Sequence, residues 1–305
     1  MSKSLNVPIK IMLAPNSTPA EGRNIGARNS NGNFLAFLDA DCIPPPHWLE
    51  KLLESIKRKF FKKNNETLVI GAVGATLLPY DHEQLINRFF HMIMQTLLGS
   101  GRSAQYYPFK KPTLVKSLPA GNFLCEKDLF ERLGGFSSEL RFCEDADLHY
   151  RIRKTGYHSL YVPGAEVFHL KKFCTLGKVA RHIFSYGYGR ALASKQKKYL
   201  MSPAYLLALI VFLLVIIKIP LLLMKILNII PSHDLPSIIF SSINLISNLV
   251  ILTYIFSVIT ETLILVFSRK EPKLIFYGPV LYVLVHASFI AGFLACWLNN
   301  FLPRR

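Results

Sequence analysis

Residues 33–42, NFLAFLDADC, constrain the fold of this chain more than any other stretch. Phe34, Leu35, Ala36, Phe37 and Leu38 make a short, β-prone apolar run that stops abruptly at Asp39-Ala40-Asp41. Such a run reads as a buried strand with two carboxylates at its C-terminal end. That end is where open α/β sheets bind ligands. A carboxylate there needs a partner to stay ionised. A hard divalent cation, Mg²⁺ or Mn²⁺, carrying a diphosphate meets that need, because these ions prefer oxygen ligands and keep positions open for phosphate. The bland alternative is a strand followed by an acidic turn that caps the next helix, and short D-x-D strings are frequent by chance.

The pattern around this strand alternates. Residues 9–13 read as a short strand, and Pro19 sets up a helix start that runs to the Asn31-Gly32 turn. Pro44, Pro45 and Pro46 end the strand that carries Asp39 and Asp41 and lead into a helix over 47–60. A second buried strand is expected over 68–76, a helix over 83–98 and a polar loop over 99–112. A helix is expected over 128–133, then a Gly134-Gly135-Phe136 turn, then a helix opening with Glu144, Asp145 and Asp147 and ending at Gly156. Two extended pieces, 157–162 and 166–169, flank Pro163-Gly164. Strands alternating with helices indicate an α/β domain with a mixed, mostly parallel sheet.

The last third differs in kind. Mean hydropathy of the whole chain is +0.29 with 51% hydrophobic residues, and the apolar excess lies beyond residue 200. Three spans, about 204–230, 238–267 and 276–298, each approach or exceed the ~20 residues needed to cross a bilayer. The formal charge is +17, and much of the basic excess (Lys195, Lys197, Lys198, Arg269, Lys270, Lys273 among others) sits beside these spans. That placement favours an anionic leaflet, with each such cation contributing about 1 kcal/mol. The charge distribution orients the preceding domain to the cytoplasm in a multi-pass membrane protein. No zinc-finger, RNP or basic-zipper pattern is present, so nucleic acid is not expected as a partner. Five scattered cysteines without a C-x-x-C pair fit a reducing compartment, and no signal peptide is legible. Three domains are expected: 1–172, an amphipathic interfacial helix over 173–202, and a membrane region over 203–305. Lys218 and Glu261 fall inside spans; their depth mismatch argues for snorkelling or burial among the helices over a direct pair.

Four features follow in chain order: Arg23-Asn24-x-Gly26; Asp39-x-Asp41; Gly121-Asn122-Phe123; and Gly135-Phe136 ahead of Glu144-Asp145-x-Asp147 and His169. Together they resemble the family 2 glycosyltransferases of the GT-A fold over about residues 14–169. The resemblance implies an inverting, metal-dependent transfer of sugar from a UDP- or GDP-sugar to a hydroxyl of a lipid-linked or saccharide acceptor. Asp39, Asp41 and His169 would hold Mg²⁺ or Mn²⁺, with Asp39 acting directly or through the ribose. Arg23 and Asn24 would contact the diphosphate. Asp145 matches the base position with Glu144 beside it, where adjacent carboxylates help to raise one pKa. Gly121, Asn122 and Asp147 would face the acceptor.

Two departures accompany the resemblance. The opening strands of the family, which contact the nucleoside, have no counterpart here, so the GT-A domain reads as incomplete: a fragment, a mis-called start or half of a split protein, with a partner chain supplying the strands. The interfacial Q-x-x-R-W motif of processive synthases is also missing, which favours single addition over polymer export. Two readings compete with a hydroxyl-acceptor enzyme: a non-catalytic membrane remnant, and transfer to a polyprenyl phosphate, which needs no base.

Overall fold

The computed structural model describes residues 9–80, 84–170, 173–201, 212–214, 218 and 235–298. In chain order the elements begin with α1 (Pro19–Arg28), β1 (Phe34–Leu38), β2 (Cys42–Ile43), α2 (Trp48–Lys57), β3 (Phe60–Lys63), β4 (Glu66–Gly74) and β5 (Leu77–Pro79). They continue with α3 (Leu85–Met94), α4 (Leu97–Ser100), β6 (Thr113–Val115), β7 (Asn122–Glu126), α5 (Lys127–Arg132), α6 (Glu144–Lys154), β8 (Tyr157–Tyr161) and β9 (Val167–His169). Among the described residues three long helices follow: α7 (Leu176–Gln196), α8 (Leu235–Arg269) and α9 (Leu274–Leu298). The chain divides into two compact units, one of residues 9–40, 44–75 and 109–167, the other of 41–43, 76–108 and 168–298.

The first unit is built on a sheet in the order β1-β7-β4-β8-β6, with β3 paired to β4. It is mixed, as expected, but not mostly parallel: among the described pairings only β4 with β8 runs parallel. The reversal comes from β7, which lies between β1 and β4 and is antiparallel to both. β3 and β4 form a tight hairpin through Asn64 and Asn65, both at positive φ (49° and 65°), a conformation asparagine tolerates. β1 is an edge strand and only half buried: Leu35 and Phe37 point inward while Ala36 and Leu38 are exposed. The apolar run therefore alternates instead of burying both faces. Phe37 anchors an aromatic cluster with Phe123, Phe130 and Phe136 at centroid distances of 4.8, 5.3 and 5.3 Å. Residues 9–13, expected as a strand, join no sheet among the described residues, and Ile9, Ile11 and Leu13 are more than four-fifths exposed.

Helix α1 starts where Pro19 placed it, with a second device. Thr18 and Glu21 form a capping box: the Thr18 hydroxyl accepts from the Glu21 N–H, and the Glu21 carboxylate accepts from the Thr18 N–H at 2.7 Å.

The second unit holds the three-stranded sheet β2-β9-β5 and the helices α3, α4, α7, α8 and α9. Phe89 and Ile93 of α3 pack with Val258 and Leu265 of α8 and with Leu274, Leu281 and Tyr282 of α9. This packing draws residues 76–108 into the unit. Residues 244–269 and 274–298 are long and apolar enough to cross a membrane, with mean hydropathy 2.3 and 2.0. They answer to the second and third expected spans. The first, 204–230, lies outside the described residues except for 212–214 and 218, which are helical.

Helix α7 is helical as expected, and it packs along α9. A β-carbon on Gly187 would strike the Phe289 carbonyl, and one on Gly292 the Phe184 carbonyl, so the two glycines set the close approach of the backbones. Glu261 is half-buried in a polar network: its carboxylate accepts from the Leu98 N–H at 3.2 Å and from the Tyr282 hydroxyl at 3.0 Å. Lys218 bonds to Asn248 instead. Lys218 and Glu261 thus bond to different partners.

Candidate active site

In the first unit, α1 delivers Arg23, the end of β1 delivers Asp39, and the first turn of α6 delivers Glu144. The Arg23 guanidinium bridges the two acids: Nη2 lies 2.6 Å from Asp39 Oδ1 and Nη1 lies 2.9 Å from Glu144 Oε1. The partner that Asp39 needs is therefore a cation from the protein itself. Side-chain exposures of 18%, 33% and 15% for Arg23, Asp39 and Glu144 place the group at a surface where solvent reaches mainly Asp39. Arg23 also lies over the Phe136 ring at 5.7 Å.

The electrostatics follow from this sharing. Burial lowers the Arg23 pKa, but Asp39 and Glu144 together outweigh it and hold the cation above its ordinary value. Burial, then the charge of Asp145, pushes Glu144 up to about 7, and Arg23, closer to Asp39, offsets only part of that rise. Asp145 accepts from the Ala146 N–H at 2.7 Å. Cys143, just before Glu144, enters α6 in the left-handed region at φ 62°, a costly conformation for a residue with a β-carbon.

Gly121 serves Asp39. It precedes β7, its carbonyl accepts from the Asp39 N–H, and a β-carbon on it would collide with the Asp39 carboxylate. Three other expected residues are placed differently. Asn24, expected at the diphosphate, turns to the Gly134-Gly135-Phe136 turn: its Nδ2 donates to the Phe136 carbonyl at 2.7 Å and its Oδ1 accepts from the Phe136 N–H at 2.9 Å. A side chain on Gly135, at φ 69°, would meet the Asn24 amide. Asn122, expected at the acceptor, is fully buried; it accepts from Trp48 Nε1 at 2.7 Å and donates to the Ala75 and Ala165 carbonyls. Asp147, also expected at the acceptor, is fully buried and paired with Arg151 at 2.6 Å. Asn122 and Asp147 are fully buried and Asn24 is half-buried, and all three side chains are bonded within the protein.

In the second unit, Asp41 and His169 come together, with Asp41 Oδ2 and His169 Nε2 3.1 Å apart. The contact is fixed by sheet pairing: β2 runs antiparallel to β9, Cys42 lies opposite His169, and the Leu170 N–H donates to the Asp41 carbonyl. Cys42 joins them, since one ligand atom from each of Asp41, Cys42 and His169 lies within 4.8 Å of the other two. Sequence reasoning missed Cys42 because a lone cysteine carries no spacing signal; only the cross-strand register with His169 reveals it.

Residues 2–134 match the model of glycosyl transferase family 2. Over that segment, under half of the chain, it is similar to the family. The segment so matched contains Arg23, Asn24, Asp39, Asp41, Gly121 and Asn122, while Glu144, Asp145, Asp147 and His169 lie beyond it. The chain is 28% identical over 186 residues to the pre-mycofactocin glycosyltransferase of Mycobacterium tuberculosis H37Rv, covering 61% of this chain and 37% of that protein. It is 28% identical over 162 residues to polypeptide N-acetylgalactosaminyltransferase 11 of Xenopus tropicalis, covering 49% and 25%. The chain thus spans well under half the length of these curated relatives. Among solved structures it is similar to mannosyltransferase PcManGT from Pyrobaculum calidifontis, in complex with GDP-Man and Mn²⁺. The TM-score is 0.48 at 15% identity, covering 92% of this chain and 67% of that one.

Proposed function

We propose that the chain is an inverting, metal-dependent glycosyltransferase that moves a sugar from a nucleoside-diphosphate sugar to a hydroxyl of a lipid-linked or membrane-proximal acceptor. The observation that carries this reading is the Arg23 bridge, which gathers Asp39 from the segment similar to family 2 and Glu144 from α6 around one cation. Structural ion pairs of this depth do occur, but this one holds an acid near neutral pKa beside a second carboxylate, as proton transfer requires.

The roles follow from the chemistry of each group. Asp41 and His169 are suited to a divalent cation, offering a carboxylate oxygen and an imidazole nitrogen 3.1 Å apart. A divalent ion held by these two residues would neutralise charge on the departing diphosphate. Asp39 orients the donor through its ribose or phosphates, and Arg23 fixes the carboxylate that does so. Asp145, with Glu144 beside it, takes the proton of the attacking hydroxyl. A single displacement by that hydroxyl inverts the anomeric centre. Gly121 leaves the space that the Asp39 carboxylate occupies.

The apolar helices α8 and α9, with Arg269, Lys270 and Lys273 between them, support a multi-pass membrane protein whose transferase domain faces the cytoplasm. The outer edge of β1 carries no strand among the described residues, which supports a partner chain that adds strands there. The second reading is a non-catalytic membrane protein that does not bind donor. Release of nucleoside diphosphate from UDP- and GDP-sugars by the purified chain separates the two. Metal-dependent release that disappears in Asp41→Asn supports the enzyme; no release at about millimolar donor supports the non-catalytic protein.

A further inference from the structure

The Asp41–Cys42–His169 cluster has a donor set unlike that of an ordinary magnesium site. Mg²⁺ binds oxygen almost exclusively and keeps its water. Here one of three converging groups is a thiol and another an imidazole. Cys42 is 8% exposed and in no disulfide. A buried cysteine in a strand ordinarily only packs. Cys42, however, lies directly across from His169 in an antiparallel pair, so the two side chains share one face of the sheet. Asp41 then closes the group at 3.1 Å from His169 Nε2.

The distances suit a small tetrahedral ion. With metal–sulfur near 2.3 Å and metal–nitrogen near 2.0 Å, neighbouring ligand atoms stand about 3.5 Å apart. The three groups already lie within 4.8 Å of one another, so side-chain rotation of about an ångström closes the set. The Asp41 side chain is 55% exposed, leaving one face open for a fourth, exogenous ligand. Three protein ligands with an open position are the arrangement of catalytic rather than structural zinc.

We propose that Asp41, Cys42 and His169 form a carboxylate–thiolate–imidazole site that takes a borderline divalent ion, Zn²⁺ or Co²⁺, in preference to Mg²⁺. This rests on the reading that Asp41 and His169 bind a cation and adds the identity of a third ligand. On binding, the Cys42 S–H bond breaks, its proton passes to solvent and a sulfur–metal bond forms, with no change of oxidation state. The thiolate sets the preference, because soft ligands favour such ions over hard ones.

The test titrates the purified full chain with CoCl₂ and records its absorption. The expected result is a near-ultraviolet thiolate-to-cobalt band that Zn²⁺ bleaches and excess Mg²⁺ leaves intact. Cys42→Ser should abolish the band and weaken Co²⁺ binding by at least the ~100-fold that losing even an outer-shell partner can cost. Cys174→Ser, which removes an exposed cysteine elsewhere, should leave the band unchanged. X-ray absorption of the zinc-loaded native chain needs no variant and should show one sulfur near 2.3 Å. Cobalt bound without a thiolate band, zinc surrounded only by oxygen and nitrogen, or a band that survives Cys42→Ser overturns the proposal and leaves the Asp41–His169 cation reading standing. A native chain that binds no divalent ion overturns both.

Discussion

Arg23 Nη2 lies 2.6 Å from Asp39 Oδ1, with Arg23 carried by α1 and Asp39 immediately after β1. The second nitrogen of the same guanidinium reaches Glu144, 121 residues further along the chain. A lysine supplies one point charge and no planar fork, so it serves one of these acids and not both. Arg23→Lys should therefore lower kcat/KM by about 100-fold, the scale of losing one preorganised electrostatic contact, while thermal stability changes little. Steady-state kinetics beside a melting curve checks this; full activity in the lysine variant would show the bridge to be structural.

Gly121→Ala tests the packing on the other side of Asp39. The added methyl group meets the carboxylate itself, so Asp39 must rotate away or β7 must shift. The expected outcome is loss of donor affinity, read as a raised KM, in a chain that still folds. An alanine variant with native KM would mean that the position of Asp39 does not matter for donor binding.

The carboxyl pair on α6 predicts a pH dependence. With Glu144 raised to about 7, activity that requires both Glu144 and Asp145 ionised should climb as pH rises through neutrality. Glu144→Gln never acquires that charge, so activity should stay low across the range and the limb should vanish. Stability should run the opposite way. Because the folded state keeps a proton that the unfolded chain releases near 4.5, stability falls as pH rises from about 4.5 to 7 and is flat above. Glu144→Gln should flatten that slope. Asp145→Asn separates acceptor classes: a loss of at least about 100-fold fits a hydroxyl acceptor, and near-native turnover fits a phosphate, which is already ionised.

Asp147 gives a contrasting variant. It is fully buried against Arg151, so Asp147→Asn should cost about 3 kcal/mol of stability by leaving a cation without its acid. KM for the acceptor should stay near native in the folded fraction. A large KM change at unaltered stability would return Asp147 to the acceptor side.

These contrasts show what the sequence made legible. A greasy run ending in Asp39 and Asp41, a proline-set helix carrying Arg23, an acidic helix start at Glu144 and two of the long apolar helices all depend on local pattern, and all formed the expected type of element, though the greasy run is only half buried. What stayed hidden depends on partners distant in the chain. Periodicity cannot say that Asn24 bonds to Phe136, that Asn122 takes the Trp48 indole, or that Asp147 pairs inward with Arg151. The side of Asp147 was readable in part, since an arginine four residues on along a helix is a ready partner. The antiparallel entry of β7 and the apposition of Cys42 and His169 are properties of sheet register, which no short motif records.

The central claim, that this chain grips a nucleotide sugar through a cation held by its own residues, is tested most directly by calorimetric titration of the purified full chain with UDP- and GDP-sugars, with divalent metal and again with chelator. The account predicts binding of at least one donor with metal, loss of that binding with chelator, and loss with metal in Asp41→Asn. Binding that is equally strong with chelator, or no binding to any donor with metal present, would contradict it.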